Sequence, residues 1–340
     1  MRITRQVLHK VAQDTVAQRA RSDRDVLSAY LHGSLLENDP LLGGTTDIDL
    51  VFVHNDGVIT PREIKRLTDE VHLDIAHHDR SEYRRTRELR VHPWMGPTIF
   101  RCKILHDPQH FMDFTQASVR GQYNRPENVL ARSQGQAEHA RQMWFELESL
   151  EGDPILKNVR TYLRAVEHAA NAVASLNGPP LTERRFLLSF PARAEAIRRP
   201  GLYPATLGLL GAPNVDAETL KSWLEDWGRA YRAIPAESAL ARLHPDRYTY
   251  YRRASEKFLS GDSPHDLLWP LARTWVDAIA QLPEAAAERD AWAACFEKLG
   301  LYGSGFRERV AALDAYLDMV EETLEAWARA TGAEYRARGF

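Results

Sequence analysis

Cysteine is almost missing from this chain, with two in 340 residues, Cys102 and Cys295. That scarcity excludes a disulfide framework and a cysteine-based metal cluster, and sets a reducing compartment as the expectation. Also missing is any run of about eighteen apolar residues, the length a membrane-spanning helix needs. The opening segment MRITRQVLHKVAQDTVAQRARSD lacks the apolar core of a signal peptide. A cytoplasmic location with no membrane partner is therefore expected. Neither sign of charge dominates: 44 Lys and Arg face 47 Asp and Glu, for a net charge of −3. This argues against a dedicated nucleic-acid binder, which is usually strongly basic. Internal repeats and low-complexity tracts are absent as well.

What is present reads as a globular chain, 44% hydrophobic and 27% charged. Its length points to two domains rather than one core. In the first 125 residues, short apolar runs alternate with polar ones. DVLSAYLH (25–32), DIDLVFVH (47–54), EVHLDIAHH (70–78) and TIFRCKILH (98–106) read as strands. TPREIKRLTDE (60–70) reads as a short helix, with Thr60 as N-cap, Pro61 at the first helical position and Glu63 completing a capping box. Residues 3–22 read as an amphipathic helix beside the sheet. After Pro126 the strand signals stop. Residues 127–150 read as helix, and so does the next segment, with Asp153 as its cap and Pro154 at its first position, which carries a stripe of Leu156, Val159, Leu163, Val166, Val173 and Leu176. A last helix is expected over 305–331, ending before Gly332. The expectation is an α+β chain: a small mixed-sheet domain over 1–125 and an all-α bundle over 126–340.

Two aspartates stand at the head of a strand that otherwise reads as buried. Side chains alternate along a strand, so Asp47 and Asp49 share one face while Ile48, Leu50 and Phe52 share the other. Carboxylates ~7 Å apart along one face repel unless a cation stands between them. By the same alternation Asp74 lies on the polar face of its own strand, with His72 and Ala76. If the two strands are neighbours, three carboxylates converge. All-oxygen ligation suits Mg²⁺, with Mn²⁺ as the alternative, and three carboxylates suffice for two ions and an in-line displacement at phosphorus. Upstream, Gly33-Ser34 ends a strand and opens a turn where backbone and hydroxyl donors can approach a phosphate.

HGS, then twelve residues, then DID, with a later strand aspartate, resembles the nucleotidyltransferase superfamily typified by DNA polymerase beta. Within it, YLHGS…GGTTDIDLVFV looks most like the antibiotic nucleotidyltransferases, such as the kanamycin- and streptomycin-modifying enzymes. The resemblance covers roughly residues 25–80. It implies a small sheet domain joined to a helical domain that binds the acceptor. It implies that Asp47, Asp49 and Asp74 hold two Mg²⁺ ions, that Gly33 and Ser34 hold the triphosphate, and that Asp74 accepts the proton of the acceptor hydroxyl. A helical-domain glutamate, with Glu167 as the candidate, is the alternative base. The implied reaction moves a nucleoside monophosphate, AMP first, from a nucleoside triphosphate to a hydroxyl of an aminoglycoside-like small molecule and releases pyrophosphate. The kanamycin type also implies a homodimer. Two other readings stand beside this one: nucleotide transfer to tRNA or a protein, and an antitoxin-like regulatory partner with little turnover.

Several tempting features read more plainly. His72, His77 and His78 do not make a zinc site, because His77 and His78 point to opposite faces. Arg80, Arg84, Arg85, Arg87 and Arg90 are interleaved with Glu82 and Glu88 and read as a solvated helix face. HPDRYTYYRRASEK (244–257) mixes tyrosines with Arg247, Arg252 and Arg253 and reads as an amphipathic helix. His32 reads as a strand-end residue, and most of the eight tryptophans as core.

Overall fold

Period-two apolar alternation in the first third of the chain builds a five-stranded sheet with a buried layer on each face. The computed structural model describes residues 3–58, 60–235 and 240–335. Helix α1 (Arg5–Ser22) leads into β1 (Val26–His32), a four-residue 3₁₀ turn (Gly33–Leu36) and β2 (Thr46–His54). Then come β3 (Arg62–Arg66), β4 (Val71–Asp79), α2 (Thr86–Val91), α3 (Met95–Arg101), β5 (Lys103–His106) and α4 (Phe111–Arg120). The strand order is β3-β4-β2-β1-β5. β2 and β4 run parallel, and the other pairings are antiparallel.

The two faces of the sheet bury different sets. Ile48, Leu50, Phe52, Leu73 and Ile75 pack with Ala29 and Leu31 against Leu8, Ala12 and Val16 of α1. On the other face Val51, Val53 and Tyr30 pack against Leu89, Ile99, Met112 and Val119 of α2–α4. Each fully buried aliphatic side chain contributes about 1.5–3 kcal/mol.

Two expected elements form differently. The 60–70 segment is β3, not a helix: Arg62–Arg66 pair antiparallel with β4 from Ala76 to His72. Alternation decides it. Glu63 faces α1, where Arg19 forks it with bonds of 2.8 and 2.7 Å, and Arg62 faces the opposite side. In TIFRCKILH, helix α3 runs through Arg101, so the strand is only Lys103–His106.

By contact density the chain divides into two units, residues 1–124 with 240–254, and 125–239 with 255–340. The remaining helices are α5 (Pro126–Glu148), α6 (Leu156–Ala174), α7 (Phe186–Ala196), α8 (Leu202–Leu209), α9 (Ala217–Arg232), α10 (Tyr248–Leu259), α11 (Leu268–Ile279), α12 (Glu288–Lys298) and α13 (Phe306–Thr331). α6 begins at Leu156, two residues later than its sequence suggests. Asp153 does not cap it; the Asn158 side chain accepts from the Ile155 N–H at 2.9 Å instead. α13 ends at Gly332, whose φ of +74° closes the helix in the left-handed region. Within the second unit, Arg141 of α5 donates to Asp314, Asp318 and Glu321 of α13 at 2.5, 2.7 and 2.9 Å. The mixed sheet and the many helices make the chain α+β. Among the described residues no helix is long and apolar enough to cross a membrane.

The link between β3, β4 and α1 has a pH signature. The Arg19 fork, helped by His77 Nε2 at 2.7 Å, holds the Glu63 carboxyl down to about 2 from its usual 4.5. A depressed carboxyl stabilises the fold above its unfolded value and loses that contribution as pH falls through its folded value. Glu63→Gln is therefore expected to lower the thermal midpoint at neutral pH. The gap from wild type should close progressively below pH 4.5 and vanish near pH 2, read by thermal denaturation across that range.

Candidate metal and phosphate site

The parallel register of β2 and β4 sets Asp49 directly beside Asp74 and Asp47 beside His72. All four lie on the sheet face opposite α1. Each of the three carboxylates offers an oxygen, and these oxygens lie within 4.8 Å of one another. Asp47 and Asp74 are each 3% exposed, so water does little to screen their repulsion. The sequence places these acids on one face, and the fold brings them together.

Gly33 belongs to the same constellation. Its φ is +76°, and a Cβ there would stand 2.0 Å from Asp49 Oδ2. Only glycine lets the turn after β1 approach the carboxylate so closely. Ser34 follows in the 3₁₀ turn, its Oγ 3.4 Å from Thr46 Oγ1 at the start of β2. His32, the last residue of β1, pairs with Asp49, and burial pushes its imidazole down to about 4.

Two guanidiniums reach the acids, and the sequence reading named neither as a site residue. Arg62 of β3 forks Asp74, with Nε–Oδ1 and Nη2–Oδ2 distances of 2.7 Å each. It was hidden by the expectation of a helix over 60–70. Strand alternation in REIKR, Arg62 and Arg66 on one face with Ile64 between them, carries the signal. Arg247 arrives from a position 200 residues from Asp47 in sequence. Its Nη2 lies 2.5 Å from Asp47 Oδ2 and its Nη1 3.4 Å from Asp74 Oδ2. The residue is 5% exposed, in a 3₁₀ turn (Pro245–Arg247) ahead of α10. Its guanidinium lies over the rings of Tyr250 and Tyr251 at 4.8 and 5.6 Å. The amphipathic-helix reading holds for α10 but misses Arg247. No local pattern marks this arginine, because its partners lie in another part of the chain.

Counted on these five residues, three carboxylates against two guanidiniums leave one negative charge in excess. Asp49 is the carboxyl most affected by its surroundings. Burial, then Asp74, then Asp47 push its carboxyl well above the usual 3.8. His72 adds a second sign of incompleteness. It is fully buried with Nδ1 3.7 Å from Asp47 Oδ1, and among the described residues neither ring nitrogen has a hydrogen-bond partner. An unmet buried polar group costs about 1–3 kcal/mol.

The donor set fits a hard divalent cation. Oxygens held at ~2.1 Å around Mg²⁺ stand ~3–4.2 Å apart, so separations within 4.8 Å need only small side-chain rotations. Asp47, Asp49 and Asp74 would be the ligands, and water on such an ion would offer a donor to the ring of His72.

Other sequence candidates fall elsewhere. Glu167 sits on α6 in the second unit, with Arg273 of α11 at 3.5 Å. His77 bonds His54 at 2.8 Å on the α1 face, whereas His78 bonds Tyr83 at 2.7 Å on the other, so the two do not share a site. Arg80, Arg84, Arg85 and Arg87 are exposed. No protein-family model matches the chain, and no curated protein matches it.

Two substitutions report on this geometry. Gly33→Ala places a methyl group inside the Asp49 carboxylate at a positive φ, and is expected to lower the thermal midpoint and abolish stabilisation by Mn²⁺. Asp49→Asn removes a charge whose ionised form is opposed by burial and by its neighbours. It is expected to raise the thermal midpoint of the cation-free protein at neutral pH by a few degrees and to remove the response to Mn²⁺. Differential scanning fluorimetry checks both, the cation-free midpoints read on the protein alone and the Mn²⁺ response read in the presence of a non-hydrolysable nucleoside triphosphate.

Proposed function

We propose that the chain is a Mg²⁺-dependent nucleotidyltransferase of the polymerase-beta-like type, transferring a nucleoside monophosphate, AMP first, to a hydroxyl of a small aminoglycoside-like molecule. The observation that carries this reading is the convergence of Asp47, Asp49 and Asp74 from two parallel neighbours, with the Gly33 turn pressed against Asp49.

The chemistry needs an α-phosphate held in line between an acceptor oxygen and a pyrophosphate leaving group. Divalent ions on the three carboxylates would neutralise the phosphates and stabilise charge on the leaving oxygen. Gly33 keeps the turn bare of side chain, so phosphate oxygens can approach its backbone. Ser34 supplies a hydroxyl donor beside them. Arg62 fixes the Asp74 carboxylate in orientation through both of its oxygens, so Asp74 serves as a ligand held in place. It can take the acceptor proton only if that fork loosens. The sheet, packed on both faces, keeps the two strand ends at fixed separation while the substrate binds.

A second reading draws on the same site. The Arg62 and Arg247 contacts make most of the acid charge self-compensating, as suits an antitoxin-like partner protein with little turnover.

Pyrophosphate release separates the two. Purified chain incubated with each nucleoside triphosphate, Mg²⁺ and a panel of hydroxylated acceptors is expected to release pyrophosphate with at least one acceptor. Asp47→Asn and Asp49→Asn are each expected to reduce the rate by about 10²-fold or more. Lack of nucleotide binding in the presence of Mg²⁺, together with silence across the panel, would favour the partner-protein reading.

A further inference from the structure

We propose that Arg247 stands in for a divalent cation on Asp47 and Asp74, so that cations load into this site only together with a polyphosphate that takes over its guanidinium. The inference rests on the metal-site reading above and adds a coupling that the metal chemistry alone does not require.

The geometry is that of a bridge. Arg247 contacts one oxygen from each of two adjacent strands, Asp47 Oδ2 on β2 and Asp74 Oδ2 on β4. These carboxylates belong to the trio whose oxygens an ion would share. Arg62 behaves differently. It lies half exposed at the outer side of Asp74 and forks that carboxylate alone. Arg247 is thus the guanidinium that competes with an ion for two strands at once.

Charge decides when it yields. With both guanidiniums in place, one divalent ion would turn the excess from one negative to one positive charge, and two ions would make it three positive. Several positive charges in a nearly dry site repel strongly. A triphosphate reverses that balance, since it brings about four negative charges and oxygen pairs that a guanidinium forks as readily as a carboxylate. Arg247 then exchanges carboxylate oxygens for phosphate oxygens, and Asp47 and Asp74 become available to the ions.

The segment carrying Arg247 has its own hold on the strand carrying Asp47. Thr45 Oγ1 donates to the Tyr250 carbonyl at 3.3 Å. Gly43, at φ +60°, lets the loop close on Arg253, since a Cβ there would meet the Arg253 carbonyl oxygen at 2.2 Å. Arg253 Nη1 donates to Glu70 Oε1 at 3.1 Å. None of these contacts involves the Arg247 side chain, so they can hold the segment in place when the guanidinium changes partners.

Direct titration of Mn²⁺, followed by its electron paramagnetic resonance signal and by the thermal midpoint, tests the coupling without relying on turnover. Wild type is expected to bind Mn²⁺ weakly alone, and far more tightly with a non-hydrolysable nucleoside triphosphate. Arg247→Gln should bind Mn²⁺ alone roughly ten-fold more tightly than wild type or better, because a buried ion pair no longer opposes entry. Its cation-free midpoint should fall, and Mn²⁺ should restore it. Tyr250→Leu removes a ring beneath the guanidinium while keeping all three carboxylates, and should shift Mn²⁺ affinity the same way by less. It carries the test if Arg247→Gln does not fold. Unchanged or weaker Mn²⁺ binding in these variants, with nucleotide-dependent binding intact in wild type, overturns the coupling alone. Absence of Mn²⁺ binding in wild type even with nucleotide overturns the metal reading, and this inference with it.

Discussion

Like-charge crowding on one face of a parallel strand pair is the constraint around which the first unit is built. The β2–β4 register places Asp49 beside Asp74 with Asp47 one pleat away. Neighbouring residues answer to that crowding. Gly33 yields space to the Asp49 carboxylate, Arg62 clamps Asp74, and Arg247 is drawn in from far along the sequence. Even so the compensation is incomplete: burial first, and then the neighbouring carboxylates, push the Asp49 carboxyl upward, and His72 lies buried beside Asp47.

The scaffold can bear this strain because its strands are secured elsewhere. On the α1 face Arg19, Glu63, His77 and His54 form a continuous polar chain that ends near Asp25, 3.3 Å from His54 Nδ1. On the other face Tyr30, Tyr83 and His78 are joined through bonds of 2.8 and 2.7 Å. These networks tie β1, β3 and β4 to their surroundings beyond the apolar layers. Buried polar bonds of this kind fix register, since a one-residue slip would leave several partners unmet. A fixed register is what keeps three carboxylates converging despite their repulsion.

The same arrangement explains why one constellation supports two functional readings. Acids that converge under a glycine turn are the parts needed to gather ions and phosphate. Guanidiniums seated on those acids are the parts needed to do without ions. Each describes one occupancy of the same few oxygens, and charge neutrality selects between them according to what anion is present.

Alternation of apolar and polar residues was enough to place β1, β2 and β4, to put Asp47, Asp49 and Asp74 on polar faces, and to assign the strand-free remainder to helix. These are properties of period, and period is written locally. β3 escaped because TPREI carries genuine helix-start residues, and only pairing with β4 makes its alternation pay off as a strand. The helix–strand switch at Cys102 was equally invisible, because a short apolar run fits both periods. Arg247 lay beyond any local rule. Its role follows from long-range electrostatics, in which a buried pair of carboxylates attracts whichever cation the tertiary fold brings within reach. The sequence by itself determined which side chains could form an acidic site; the tertiary structure decided that they meet, and which guanidiniums meet them.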